Sequence, residues 1–308
     1  MRPLRIGTRG SLLAKWQATF VREQIFQATG VEGEIVIIKT SGDKLQQSSL
    51  TQIGGKGIFI KELEDALLEE SIDIAVHSVK DIPTETPSHL SFPAVCRRAD
   101  VRDCLVSGNG ATLAQLRQGA RVGTGSLRRQ AQLRHIRPDL DVRDLRGNVD
   151  TRLRKVESGE YDAVMLAKAG LDRLRCSHRI TEILSPLVCM PAVGQGAIAA
   201  ECRANDTEAA QALEKLDDAD TRTAITAERA LLSALQGGCQ VPLGAWARLE
   251  RGELVLEACV CSIDGVTFIQ QRATAPPDQA NELGEHMARL LIEAGAQSIL
   301  EEVSRQRG

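Results

Sequence analysis

Short β-branched runs alternate with helical stretches from the first residues of the chain, and the alternation begins again near residue 120. That succession constrains the fold most, because each helix must carry the chain back across a sheet whose strands then lie mostly parallel. LRIGT (4–8) reads as a strand, Ser11 as the cap of the helix that follows, Gly30 as its stop and EIVIIKT (34–40) as a second strand. The polar stretch 40–57 is long for a loop in a compact domain, a length that goes with function. IFIKELEDALLEE (58–70) has helical periodicity, and DIAVHSVKD (73–81) is a buried strand ending on a charged pair. In the second round, ARVGTGS (120–126) is strand and glycine-rich turn, and LRRQAQLRHI is helix. LDVRDL (140–145) is strand, 146–160 turn and helix, and YDAVMLAKAGL (161–171) a strand running into a helix. A Pro/Gly-rich segment, 185–197, leads out to helices at 207–216 and 221–236. The end differs: ELVLEACVCSI (253–263) and VTFIQQRAT (266–274) predict a hairpin around Asp264-Gly265, followed by one long or two short helices over 276–304. The 308 residues thus predict an α/β protein of two or three domains, the last a small α+β domain with an antiparallel sheet.

The net charge of −3 conceals a local excess. Between Arg97 and Arg175 stand 17 basic and 10 acidic residues, and 15 of the 17 are arginine, the side chain suited to planar, bidentate carboxylate or phosphate binding. Arg128 and Arg129, with Ser126, open a helix after one strand end. Arg146, Arg152 and Arg154 follow a second, and Arg173 a third. Ligands in open α/β sheets sit at the carboxyl ends of strands, so these arginines predict a crevice for a multiply charged anion. GGKGIF (54–59) lacks the phosphate-loop spacing, and only eight aromatics occur in the chain, which argues against nucleic acid. A polycarboxylate fits best.

Lys80 and Asp81 end the strand DIAV. A carboxylate among arginines would repel their ligand unless it faces a cation or moves a proton; the plain alternative is a surface Lys–Asp pair. Cys239, in QGGCQVPLG, lies in a glycine-flexed turn and is a nucleophile candidate, against the alternative of a packed junction thiol. The other seven cysteines sit mostly in apolar stretches without C-x-x-C pairs and read as free, buried thiols of a reducing cytosol. The five histidines lack ligand-pair spacing, so no metal is expected. The longest uncharged run, 183–200, is broken by Pro and Gly, and the N-terminus has no signal-peptide core; the expectation is a cytoplasmic protein without a membrane span. Nothing in the pattern calls for a partner chain, so a monomer is expected.

IGTRGS (6–11), GGKGIFIKELE (54–64), DIAVHSVKDIP (73–83), GTGSLRRQAQL (123–133), LRGNVDTRL (145–153), AVGQGA (192–197) and GGCQVPLGA (237–245) together closely resemble the porphobilinogen deaminase (hydroxymethylbilane synthase) family. The resemblance runs in order from about residue 4 to the last helices. It implies a transferase of porphyrin and heme biosynthesis that joins four porphobilinogen molecules head to tail, releasing ammonia, into linear hydroxymethylbilane. Assembly takes place on a dipyrromethane cofactor held by a thioether, and the motif carries that attachment to Cys239. Asp81 is implied as the catalytic carboxylate, stabilising the cationic azafulvene left when ammonia departs. Lys80, Asp81, Ser126, Arg128, Arg129, Arg146 and Arg173 are implied as cofactor-binding, Arg9, Ser11, Arg152 and Gln195 as substrate-binding, and Lys56 and Phe59 as the lid. Three domains are implied: 1–97 with 197–214, 98–196, and 215–308. The first two resemble type II periplasmic binding proteins. The alternative from another class is a non-catalytic two-domain clamp on a polyanionic effector, which would have no use for Cys239 or for Asp81 inside an arginine ring.

Overall fold

The computed structural model describes residues 2–38, 60–235 and 241–305. Lys56, Phe59 and Cys239 lie outside the described residues. The chain forms two compact units, Met1–Ala99 with Ala197–Arg222, and Asp100–Gly196 with Thr223–Gly308.

In the first unit β1 (Leu4–Thr8) leads to α1 (Leu12–Thr29), β2 (Gly33–Ile37), α2 (Lys61–Leu68), β3 (Ile74–Ser78) and β4 (Leu90–Val95). Ser11 caps α1 through its hydroxyl, which accepts from Ala14 N at 3.2 Å, and Gly30 ends the helix at φ 72°. Strand order is β2-β1-β3-β10-β4, in which β10 (Ile198–Arg203) returns from later in the chain and runs antiparallel to both neighbours. α6 (Thr207–Glu214) follows β10, and Ala209, Ala212 and Leu213 pack with Ile6, Val21, Ile25, Val76 and Ala200 in one core.

The second unit repeats the plan. β5 (Asp103–Ser107), β6 (Arg121–Gly123), β7 (Asp141–Arg143), β8 (Ala163–Ala167) and β9 (Glu182–Ile183) pair in the order β7-β6-β8-β5-β9, with β5 antiparallel to β8 and β9. α3 (Leu127–Ile136), α4 (Val149–Glu157) and α5 (Lys168–Arg173) each follow one of the parallel strands β6, β7 and β8. The restart read from the sequence is therefore a second sheet of the same order. One side-chain device also recurs. Asp73, just ahead of β3, accepts from Arg5 N (2.9 Å) and Nε (3.1 Å); Asp162, just ahead of β8, accepts from Arg121 N (2.8 Å) and Nε (3.0 Å). Each carboxylate locks its strand to the neighbour that begins R-I/V-G-T, residues 5–8 and 121–124.

The rest of the second unit is a separate three-stranded antiparallel sheet, β11 (Leu243–Glu250), β12 (Glu253–Cys261) and β13 (Phe268–Ala275), covered by helices. α7 (Ala219–Ala234), α8 (Ala280–Glu293) and α9 (Ala296–Arg305) contribute Leu231, Met287, Leu291 and Ile299 to its core against Leu254 and Leu256. Gly295, at φ 102°, separates α8 from α9, which decides for two helices. The hairpin around Asp264-Gly265 forms as expected, while β4, β5, β9, β10 and β11 were not anticipated.

Candidate active site

Parallel strands deliver their following segments to one sheet edge, and both α/β sheets use this. In the first unit Ile6 lies opposite Ile74 and Gly7 opposite Ala75, so Arg9 and Ser11 leave β1 at the edge where Lys80 and Asp81 leave β3. Lys80 and Asp81 sit on a single 3₁₀ turn, Val79–Asp81. Its start is tied by Val79 N donating to Ala197 O (3.1 Å), and its end by Ile82 N donating to Val79 O (3.1 Å). Below it, buried Gln17 donates to the Ser78 hydroxyl at 2.8 Å, and His77 Nε2 lies 2.9 Å from Glu201 Oε2. Asp81 is exposed and Lys80 half-buried on this anchored turn.

In the second unit Ser126 is the extended residue ahead of α3, and Arg128 and Arg129 occupy its first turn. Both arginines are almost wholly buried, 3% and 5% exposed. Arg146 follows β7 and donates from Nε to Asp144 Oδ2 at 2.9 Å; its Nη1 is a buried nitrogen without a partner. Arg152 donates from Nε to Gly147 O (2.8 Å) and Arg173 from Nη2 to Gly196 O (2.7 Å). Gln195 is buried, and its amide donates to Val101 O (2.7 Å) and Asp103 Oδ1 (2.8 Å). The turn that carries it is fixed by Glu228, which accepts from Gly194 N (2.7 Å) and Ala247 N (2.8 Å). Ser126, Arg128, Arg129, Arg146 and Lys168 all follow parallel strands whose register puts Arg121 opposite Asp141 and Val122 opposite Ala163, so they enter at one edge.

Not every arginine of the rich segment is turned to that edge. Asp100 with Arg102, Arg137 with Asp139 and Asp141 with Arg143 are ion pairs two residues apart, and Arg146, at the edge itself, pairs likewise with Asp144. That spacing puts side chains on one face of extended chain. Much of the local positive charge is therefore matched locally. The residue that sequence reading missed is Asp103, fully buried at the head of β5 beneath Arg128 and Arg129. Its signal was available: an aspartate opening an apolar run, DCLVS, must find a cation to be buried. Of the seven described cysteines six are buried and Cys176 is half-buried. Burial pushes the thiols of Cys104 and Cys259 up to about 12 and that of Cys261 to about 11, which makes them poor nucleophiles.

By class, this is a mixed α/β protein in which guanidinium groups stand at the carboxyl edge of parallel strands. Residues 4–211 match the family description "Porphobilinogen deaminase, dipyromethane cofactor binding domain" and residues 222–293 match "Porphobilinogen deaminase, C-terminal domain". The porphobilinogen deaminase of Syntrophotalea carbinolica is 49% identical over 96% of this chain and 95% of its own length. That of Syntrophobacter fumaroxidans is 45% identical over 99% of both. Among solved structures the chain is similar to the Bordetella pertussis BvgS periplasmic VFT2 domain, at 18% identity and a TM-score of 0.42 over 69% of this chain and 86% of that one. The chain belongs to the porphobilinogen deaminase family, transferases of tetrapyrrole biosynthesis that work with a dipyrromethane cofactor. Among the described residues no helix is long and apolar enough to cross a membrane.

The residues present fit such a cofactor. Its periphery is a set of acetates and propionates, and Arg128 Nε and Arg146 Nη1 are buried guanidinium nitrogens without partners, the donors a carboxylate would meet.

Proposed function

We propose that this chain joins porphobilinogen units head to tail with Asp81 as its catalytic carboxylate, and that Cys239 carries the dipyrromethane cofactor through a thioether. Lys80, Asp81, Ser126, Arg128, Arg129, Arg146 and Arg173 hold the cofactor in this reading, Arg9, Ser11, Arg152 and Gln195 the substrate, and Lys56 and Phe59 form the lid. The observation that carries it is the gathering of Ser126, Arg128 and Arg146 at the carboxyl edge of parallel strands, in a segment where Arg102, Arg137 and Arg143 are instead paired with aspartates two residues away.

When bound, the cofactor supplies the pyrrole end to which new units are added. The arginines bind the peripheral carboxylates as planar forks and so fix each ring without touching its reacting carbon. Asp81, on its anchored turn, lies against the positive charge that develops on substrate as ammonia departs, and a preorganised carboxylate there lowers that barrier without reorganising. Ser11, engaged as the α1 cap, offers a hydroxyl held in place by the helix it starts. The division into 1–97 with 197–214, 98–196 and 215–308 is part of the same proposal. It is supported by the boundary between the two family segments and by the separate three-stranded sheet. A cytoplasmic location and a monomeric state belong to the same proposal.

Intact-protein mass tests the cofactor assignment. Wild-type protein should exceed its sequence mass by two linked pyrroles and colour with Ehrlich's reagent, and Cys239→Ser should do neither. Active wild-type protein of unmodified mass would defeat the assignment. Because Asp81 is exposed and outside the core, Asp81→Ala should fold normally yet lose far more than tenfold in turnover, about 1.4 kcal/mol of barrier for each factor of ten. A loss smaller than about tenfold would remove Asp81 from the mechanism.

A further inference from the structure

Asp103 is 0% exposed and is shared by four side chains. Arg129 donates to its Oδ1 from Nη2 (2.7 Å) and Nε (3.2 Å), and Gln195 adds a third bond to the same oxygen at 2.8 Å. Arg128 Nη1 pairs with Oδ2 at 2.7 Å, and the Cys189 thiol donates to Oδ2 at 3.3 Å. Arg129 Nη1 donates to Met165 O (3.1 Å), so every nitrogen of that guanidinium is engaged. Arg128 Nη1 also reaches Met190 O (2.5 Å), but Arg128 Nε is buried without a partner.

Burial alone would favour the neutral acid at Asp103, but the two guanidinium charges outweigh it and hold the carboxyl well below the usual carboxylate range. The Cys189 thiol is pushed up by burial and stays neutral. One carboxylate between two guanidiniums therefore leaves the cluster with one net positive charge out of water. Removing a charge from water without a counter-charge is costly, so the cluster is completed by one anionic group.

We propose that Asp103 is a positioning residue: it saturates Arg129 and fixes Arg128 so that the remaining charge and the Nε donor of Arg128 meet a single carboxylate of the dipyrromethane cofactor. Arg129, all of whose guanidinium nitrogens are engaged, contributes to holding the cofactor through this cluster, by its grip on Asp103. The inference rests on the cofactor reading above and adds to it a residue that touches neither cofactor nor substrate.

The test is cofactor loading, followed by intact mass. Wild type, Asp103→Asn and Asp103→Glu are made without porphobilinogen, checked for fold by circular dichroism, and exposed to porphobilinogen while the two-pyrrole adduct is timed. Folded Asp103→Asn should load about tenfold more slowly or worse, because a displaced guanidinium forfeits its geometry, and Asp103→Glu should recover part of the rate. Folded Asp103→Asn loading at the wild-type rate, or Asp103→Glu showing no recovery, overturns the proposal. Should Asp103→Asn not fold, Cys189→Asp decides: a carboxylate built into the cluster should compete for Arg128 and slow loading, and wild-type loading by that variant overturns the proposal equally. Wild-type protein that never gains the adduct defeats the cofactor reading instead, so the two failures are distinct.

Discussion

Buried or half-buried carboxylates at strand entrances set much of the chemistry of this chain one residue at a time. Asp162 accepts from the Arg121 N–H and side chain, and those bonds outweigh burial and hold its carboxyl down at about 2. Asp73 is burdened more by burial, yet Arg5 and Arg2 still hold it well below the ordinary range. The folded value is depressed, so the ionised form favours folding; that stability is fully present above about pH 4, the unfolded value, and is lost as pH falls toward 2. Asp162→Asn should therefore show a shallower fall in Tm between about pH 4 and 2 than wild type, measured by calorimetry across that range. The positions of Lys80 and Asp81 and of Arg128 and Arg129 just beyond strand ends were legible in the sequence, because a motif supplied their company. For Asp103 the apolar run DCLVS signalled the need for a cation but not its identity, because nothing in local spacing says which cation a carboxylate 25 residues upstream of an arginine pair will meet.

α3 shows how a helix is held in register with what it must bind. Its first turn is pinned through Arg128 and Arg129 to Asp103, and its last turn is gripped by the β12–β13 connection. Arg134 donates to Ile263 O at 2.7 Å, His135 Nδ1 lies 2.8 Å from Gly265 O, and the His135 ring stacks on Phe268 at 4.7 Å. Gly265 is at φ 81°, and a Cβ there would come within 2.5 Å of His135 N and 2.6 Å of Arg134 C. Both atoms are helix backbone and cannot step aside. Gly265→Ala should thus destabilise by about 1–3 kcal/mol through strain and overpacking, read as a lower midpoint in urea with unchanged m. This turn was legible as Asp-Gly between two strand patterns. The edge strand β4 was not, since Pro93 disguises it: proline is tolerated in a sheet only at an edge, and a single sequence does not announce which strand lies there.

At the scale of the whole molecule, the alternation of strands and helices predicted two α/β layers and an antiparallel end, and all three are present. What the pattern did not disclose is how the first sheet is completed. β3 and β4 never pair; β10, from residues 198–203, lies between them and bonds to both. Ile198, Ala200 and Cys202 also supply the core facing α1 and α6. A pairing across more than 100 residues leaves no periodic trace in either segment. A fragment ending at residue 99 should accordingly lack a cooperative thermal transition, and adding residues 197–222 through a short linker should restore one. A fragment of 1–99 that melts cooperatively alone would show β10 to be dispensable.

That interleaving also sets a timetable for biogenesis. A ribosome releases β1 to β4 long before it releases β10, and at about 5–20 residues per second the wait amounts to several seconds or more. Throughout that interval β3 and β4 expose unpaired backbone along the gap that β10 will fill, while the intervening sheet β5–β9 has all its own strands to hand. The segment translated second is thus the first able to finish folding, and the nascent N-terminal half is the part for which a chaperone would have most to do.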